Sequence, residues 1–107
     1  MEIELIKTKD RVQRILSLVD YSRDDDNILI HYIWNEDLIN KGLDAKYITA
    51  YRFFEMFSDG ELTSPESIRR VRQKLQEQNE DLRGYKYKKK IENQERIKQQ
   101  LKEIESL

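Results

Sequence analysis

The chain of 107 residues has no cysteine, one proline, three glycines and one histidine. Without cysteine there is no disulfide framework and no thiolate-bound zinc or iron–sulfur site, which fits a reducing cytosol. No apolar run approaches the ~20 residues of a membrane-spanning helix, and the N-terminus lacks the apolar core of a signal peptide. We therefore expect a cytoplasmic protein with no membrane partner.

The same scarcities argue against catalysis. Three glycines form no glycine-rich phosphate loop, and no nucleophile stands beside a histidine in a known motif. His31 lies in an apolar run with no second histidine, so we predict a packed core side chain instead of a metal ligand. The aspartates at positions 24–26 suggest a hard cation but lack EF-hand spacing, which favours a helix N-cap with first-turn acids. We expect no enzyme activity, no cofactor and no metal.

Charge is unevenly distributed along the chain, although its net value is only -1. Residues 1–60 carry 12 acids and 8 bases, whereas residues 61–107 carry 9 acids and 12 bases. Residues 69–74 contain four cations and residues 83–90 contain five, with no acid in either stretch. Local positive fields attract polyanions such as DNA, while the acidic first half is equally compatible with a basic protein partner.

Hydrophobic periodicity predicts a mainly α fold in a chain of one-domain size. The first helix is predicted from Thr8 or Lys9 to Val19, and residues 1–7 fit either a strand or a helix extension. A second helix is predicted over residues 28–39, with a stop signal at Gly42. A third, capped by Asp44 and ending near Phe57, is so rich in aromatic residues that we expect it to be the central helix on which the others pack.

The stretch from Thr63 to Gln78 contains the clearest helix start. Ser64 suits the N-cap and Pro65 the first helical position, although Thr63 with Glu66 three residues later also fits a capping box. Its apolar residues share one narrow stripe that would face the core: Ile68, Val71 and Leu75. The arginines then lie on the outside, as in a recognition helix or in an ordinary solvated helix.

The run from Leu62 to Glu77, followed by Leu82, Arg83 and Gly84, resembles a block found in small, uncharacterised phage and prophage proteins with a TSPESIRRVRQKLQE-type helix. It covers about a fifth of the chain. The resemblance implies a helix-turn-helix or winged-helix fold and a bacterial host cell, but no assigned activity. The link from Phe57 to Pro65 is longer than a tight helix-turn-helix allows, and a winged-helix variant tolerates it better.

The C-terminal part departs in composition from the rest. We divide the chain into a helix-turn-helix-like domain over residues 1–84 and a basic segment with a charged C-terminal helix over residues 85–107. Residues 85–90 alternate tyrosine and lysine at first, as in a wing strand or an exposed basic turn. The following helix either packs back on the domain or pairs with a second copy as a homodimer, through an apolar edge of Ile97, Leu101, Ile104 and Leu107.

Two functions follow from these patterns. The leading one is a phage-encoded DNA-binding protein in transcription regulation, with Arg69, Arg70 and Gln73 facing the groove of double-stranded DNA. The full set of predicted nucleic-acid contacts is Ser64, Ser67, Arg69, Arg70, Arg72, Gln73, Lys74, Lys86, Lys88, Lys89 and Lys90. The alternative is a non-enzymatic protein that binds and inhibits a host protein, as an anti-defence or host-takeover factor.

Overall fold

A computed structural model describes residues 2–106 of the chain, with side chains from residue 8 onward. These residues form five α-helices, which are α1 (Glu2–Leu18), α2 (Asp26–Asn40), α3 (Ala50–Ser58), α4 (Pro65–Gln78) and α5 (Tyr85–Glu105), and two 3-10 turns, Asp20–Arg23 and Glu80–Leu82. Within that range no residue is in a strand, so the mainly α class is confirmed. Leu107, assigned to the apolar edge of the last helix, lies outside the described residues.

Helix starts with strong local signals lie where the sequence predicts them. Ser64 is the N-cap of α4, its Oγ accepting from Ser67 N at 3.4 Å, and Pro65 is the first helical residue. Asp25 caps α2, with Oδ1 accepting from Asn27 N at 3.0 Å. Residues 2–7, which fit either a strand or a helix extension, lie in α1. Residues 85–90, for which a wing strand and an exposed basic turn stayed open, lie in α5. No wing strand therefore forms at residues 85–90.

The main core lies between α1, α2 and α4. Each helix contributes apolar residues at helical spacing: Val12, Ile15 and Leu16 from α1, Leu29 and Ile33 from α2, and Ile68 and Leu75 from α4, with Leu82 closing one end. Burying each such side chain contributes about 1.5 to 3 kcal/mol to folding. α4 is thus held by the stripe that the sequence predicted.

The predicted central position of the third helix is wrong. α3 begins at Ala50, five residues later than predicted, and its N-cap is Thr49, whose Oγ1 accepts from Arg52 N at 3.1 Å. Asp44 instead closes a turn, its Oδ1 accepting from Lys46 N at 2.9 Å. Only Met56 of α3 is buried, in a small second cluster with Leu38 and Leu62. α3 is peripheral because the aromatic stripe, although truly helical in period, faces solvent.

His31 is exposed, so its predicted place in the core is also wrong. α2 buries Leu29, Ile33 and Asp37, one face repeated every four residues, and His31 points away from that face. Trp34 is half-buried between the two clusters, where its Nε1 donates to Thr63 O at 2.7 Å. An unbroken apolar run does not reveal which of its faces meets the core.

α1 and α4 end in the same way, sixty residues apart in sequence. After each helix the chain makes a 3-10 turn and an arginine reaches back to cap the helix. Arg23 Nε donates to Leu16 O at 2.7 Å, and Arg83 Nε donates to Gln76 O at 2.5 Å. After the first turn α2 packs against α1, whereas after the second turn α5 makes few contacts with the other helices.

α5 projects from the body of the protein. The molecule measures 65 × 27 × 24 Å and has a radius of gyration of 18.2 Å, whereas a compact domain of this length has about 13 Å. Asp24 holds the start of α5, accepting from Tyr85 N at 3.1 Å and Lys86 N at 2.9 Å. A Cβ on Gly84 would lie 2.2 Å from Asp24 Oδ1. Glycine at position 84 therefore permits the close approach that anchors α5.

Candidate functional site

The arginines of α4 are engaged with carboxylates. Arg69 Nε lies 3.2 Å from Asp26 Oδ2, and Arg72 Nε lies 2.5 Å from Asp26 Oδ1. Arg70 Nη2 lies 2.7 Å from Glu66 Oε1, one turn earlier. The pair to Arg72 is largely shielded from solvent, since the Arg72 side chain is 17 % exposed. Two of the three guanidinium groups of the predicted recognition helix are thus neutralised by α2.

The other predicted nucleic-acid contacts are dispersed. Ser64 is used as a cap and Ser67 is half-buried behind it, while Gln73 and Lys74 are exposed. Four lysines lie on the exposed first turns of α5: Lys86, Lys88, Lys89 and Lys90. Lys86 and Lys90 border a groove of about 540 Å³ between α4 and α5, which Asp24, Asp26 and Glu77 also line. The structure brings these cations near acids, so the groove as a whole has mixed charge.

The three consecutive aspartates serve three different helices. Asp24 caps α5, Asp25 caps α2, and Asp26 pairs with arginines of α4. The favoured N-cap interpretation holds for Asp25, with Asp26 in the first turn of α2. Their carboxylates point to different partners, and in the described part of the chain no group of three or more histidines or acids is arranged to hold a metal ion.

An aromatic face, defined by Tyr47, Tyr51, Phe54 and Phe57, covers the outer side of α3 and the turn before it. These four side chains are between 50 and 85 % exposed. Rings beneath them fix part of the face, since Trp34 packs edge-on against Phe57 at a centroid distance of 5.7 Å. Monomeric soluble proteins seldom expose contiguous apolar patches of this kind unless the patch binds something.

An open apolar groove of about 400 Å³ runs beside the aromatic face, between α2 and α3. Its floor and walls are mostly apolar, and the lining residues are His31, Trp34, Asn35, Leu38, Ala45, Ile48, Thr49, Ala50 and Phe53. His31 and Asn35 provide polar groups on the α2 side. The volume is within the range of sites that accept apolar side chains or small ligands.

His31, which lines the groove, contacts a neighbouring ring of α2. His31 packs edge-on against Tyr32 at a centroid distance of 5.7 Å. The Tyr32 hydroxyl shares a hydrogen bond of 3.3 Å with the Tyr21 hydroxyl, and this bond raises the pKa of Tyr32 above its ordinary value of 10.0.

The aromatic face was overlooked as a site because its residues satisfy the pattern of a buried helix. The number of aromatic residues was the one signal in the sequence that some of them are exposed. The aromatic residues at positions 47, 51, 53, 54 and 57 spread over more of the helix surface than one packing interface covers. A small domain has little core to receive them. Part of such a surplus must remain at the surface.

Comparisons with known protein families, curated proteins and solved structures find no match to this chain. None of the described helices has the length and apolar character needed to cross a membrane.

Proposed function

We propose that this protein is a non-enzymatic binding protein that docks on a partner protein through the aromatic face of α3. The observation that carries the proposal is that four large aromatic side chains close together in sequence, Tyr47, Tyr51, Phe54 and Phe57, are at least half exposed. Tyrosine and other aromatic residues are enriched in interfaces, where they supply most of the binding free energy. This role corresponds to the alternative function predicted from sequence, moved from the arginines of α4 to the aromatic residues of α3.

The groove beside the aromatic face indicates the chemistry of the partner. Its apolar lining accepts apolar side chains, and its open shape suits a segment lying across it, such as an amphipathic helix. Charges near α3 have both signs: Glu55 and Asp59 are exposed, and Arg52 lies 3.7 Å from Glu61. A mixed polar rim around an apolar centre is typical of protein interfaces, whereas a DNA-binding surface is uniformly basic. If the resemblance to phage proteins holds, the partner is a host protein.

Truncating one aromatic side chain should weaken binding to the partner without unfolding the protein. For Phe54→Ala we expect partner affinity to fall about 30-fold or more, since interface hot spots contribute at least about 2 kcal/mol. Because Phe54 is exposed, the free energy of unfolding should change by less than about 0.5 kcal/mol. The measurement is capture of partners from nuclease-treated bacterial lysate, followed by calorimetric titration with the purified partner.

Leu18→Ala provides the matched control, because Leu18 is an exposed apolar residue of α1, a helix that contributes no residue to the aromatic face. It should bind the partner as the wild type does. Equal binding by wild type and Phe54→Ala, or equal loss in both variants, would contradict the proposal. A partner that disappears on nuclease treatment would favour nucleic acid instead.

A second candidate function is binding to double-stranded DNA, and the lysines on the first turns of α5 favour it. Lys86, Lys88 and Lys90 are exposed, and no acid in the described chain forms an ion pair with them. Lys89 Nζ donates to the Tyr85 hydroxyl at 3.3 Å and lies 5.6 Å from the centroid of the Tyr85 ring. This version of DNA binding depends on the lysines of α5 and does not require the arginines that Asp26 neutralises.

Salt dependence tests the second candidate. If these four lysines contact phosphates, the affinity for random duplex DNA should fall with salt at a log-log slope of about -3 to -4. Lys88→Ala should reduce the slope by about one. Lys102→Ala, at the far end of α5, serves as the control and should leave the slope unchanged. A slope near zero in fluorescence anisotropy would exclude this candidate.

A further inference from the structure

Asp26, on the first turn of α2, is shared by two arginines of α4 that differ in exposure. The Arg72 side chain is 17 % exposed, whereas that of Arg69 is 51 % exposed. Arg72 also has a second side-chain partner, because its Nη1 donates to Gln76 Oε1 at 3.0 Å. Arg69 Nε lies 3.2 Å from Asp26 Oδ2, and its side chain has no other partner among the described residues. Asp26 is therefore the single attachment of the more exposed arginine.

Arg69 can leave Asp26 at little cost. An ion pair whose arginine is half exposed contributes little to stability, because water solvates the separated charges. The carboxylate is not left alone, since Arg72 Nε remains 2.5 Å from Oδ1 and Arg72 Nη2 remains 3.3 Å from Oδ2. The contact between Asp26 and Arg69 is therefore exchangeable: another anion can take the arginine while Asp26 keeps its more buried partner.

The surroundings of this contact favour phosphate as the competing anion. Arg69 lies one turn before Gln73 on the same side of α4, and Gln73 lines the groove between α4 and α5. From α5, Lys86 and Lys90 line the same groove, and their ammonium groups have no partner in the described part of the chain. Guanidinium groups bind phosphate oxygens through paired hydrogen bonds. A chain of phosphates, unlike a single small anion, can contact the lysines of α5 and Arg69 together.

Three acids also line this groove, and two of them are engaged. Asp24 accepts from two backbone N–H groups of α5, and Asp26 is shared by its two arginines. The arginines that line the groove, Arg23 and Arg72, are engaged as well. Glu77 is the one acid of the groove whose side chain has no partner among the described residues, against two such lysines. The charge left for an outside ligand is therefore positive.

We propose that Asp26 is an autoinhibitory contact that competes with the phosphates of duplex DNA for Arg69. When DNA lies along the lysines of α5, a phosphate takes Arg69 from Asp26, and Asp26 keeps Arg72. The competition weakens DNA binding, because a phosphate that contacts Arg69 must first displace the carboxylate. This inference goes beyond docking through α3 and rests on the second candidate function, DNA binding by the lysines of α5.

A double-mutant cycle in Asp26 and Arg69 tests the competition, with the affinity for random duplex DNA measured by fluorescence anisotropy. Asp26→Asn removes the charge but keeps the shape of the side chain and an acceptor for Arg72. We expect its affinity to rise about eightfold at about 0.1 M salt and its log-log salt slope to steepen by about 0.9, the values for one further phosphate contact. In Asp26→Asn/Arg69→Ala the rise should largely disappear. Arg69→Ala alone should lower the affinity much less than it does in the Asp26→Asn background.

Glu55→Gln serves as the control, because it removes the same charge from α3, a helix that does not line this groove. It should leave the affinity for DNA unchanged. An Asp26→Asn variant that binds DNA no more tightly than Glu55→Gln overturns the proposal. A rise that Arg69→Ala does not reduce overturns it as well, because the gain would then come from the lost negative charge alone.

The exchange can also be followed in the unaltered protein, so the test does not depend on how well Asp26→Asn folds. In heteronuclear NMR spectra the Nε–H resonance of Arg69 should shift as duplex DNA is added. It should shift more than that of Arg72, which Gln76 and Asp26 continue to hold. An Arg69 resonance that stays in place at saturating DNA contradicts the exchange.

Failure of this inference and failure of DNA binding itself give different results. If Lys88→Ala reduces the salt slope and Asp26→Asn has no effect, the lysines of α5 bind DNA and only the competition is excluded. If none of the variants binds duplex DNA, both are excluded. Asp26→Asn leaves α3 intact, so capture of a partner protein through the aromatic face should be unchanged in every case.

Discussion

Asp37→Ala is expected to lower the free energy of unfolding by about 3 to 5 kcal/mol, because it breaks the most buried ion pair of Arg11 and leaves Thr63 N without its acceptor. Asp37 lies on α2 and accepts from Thr63 N at 2.8 Å and from Thr63 Oγ1 at 3.1 Å. Its Oδ1 is also 2.9 Å from Arg11 Nη2, on α1. One carboxylate thus joins α1, α2 and the segment that enters α4.

In Asp37→Ala the guanidinium of Arg11, which is 19 % exposed, retains Glu36 and Ile33 O but loses its most buried anion. Thr63 N loses its acceptor as well. For a domain of this size, each kcal/mol lowers the melting temperature by about 4 to 8 °C, so the loss should exceed roughly 12 °C. Thermal denaturation followed by circular dichroism measures it.

Asp37→Asn serves as the comparison, because it preserves shape and one acceptor oxygen while removing the charge. It should lie between the wild type and Asp37→Ala in stability. A loss of less than about 1 kcal/mol in Asp37→Ala would show that the carboxylate contributes little to holding α1, α2 and the segment before α4 together.

Gln76→Leu is expected to lower the free energy of unfolding by about 2 to 4 kcal/mol, although it replaces a buried amide with an apolar side chain of similar size. Gln76 is fully buried, and its Nε2 donates to Arg23 O at 3.0 Å and to Leu82 O at 3.2 Å. Its Oε1 accepts from Arg72 Nη1 at 3.0 Å. Leucine would leave two carbonyls and one guanidinium N–H without that partner, each at a cost of about 1 to 3 kcal/mol before relaxation.

Urea denaturation measures the loss from the transition midpoint at unchanged slope. Gln73→Leu is the control: position 73 is on the same helix but exposed, so the substitution should change stability by less than about 0.5 kcal/mol. Equal stabilities of the two variants would mean that the hydrogen bonds of the Gln76 amide add nothing to the free energy of unfolding beyond the packing of the side chain.

The sequence predicted α4 well because its signals are local. A serine, a proline and an apolar stripe lie within eleven residues of one another, and each acts through its own turn of helix. The left-handed conformations of Gly42 and Gly60, with φ of 75° and 72°, mark the ends of α2 and α3 for the same reason. Interactions that lie within one or two turns of a helix can be predicted from the sequence without knowledge of the fold.

The pairing of polar groups was not predictable, because it joins residues far apart in the chain. Arg69 and Arg72 meet Asp26 across 43 and 46 residues, and Gln76 meets Arg23 across 53. The pattern of α4 alone showed outward arginines and did not show that an acid of α2 would reach them. Likewise, the spacing of the aromatic residues near α3 predicted a helix. It did not predict which side of that helix the other helices would cover, because that depends on how the helices pack together.

The junction of Asp24 and Gly84 has a consequence for what α5 can reach. Because the junction sets the direction of α5 at its first turn, the position of any group on the helix relative to the body depends on the number of residues between that turn and the group. Each inserted residue would move the far end of α5 about 1.5 Å outward and rotate it by about 100°. A ligand that contacts both the body and the far end of α5 would therefore be sensitive to the length of α5 as well as to the residues that it touches.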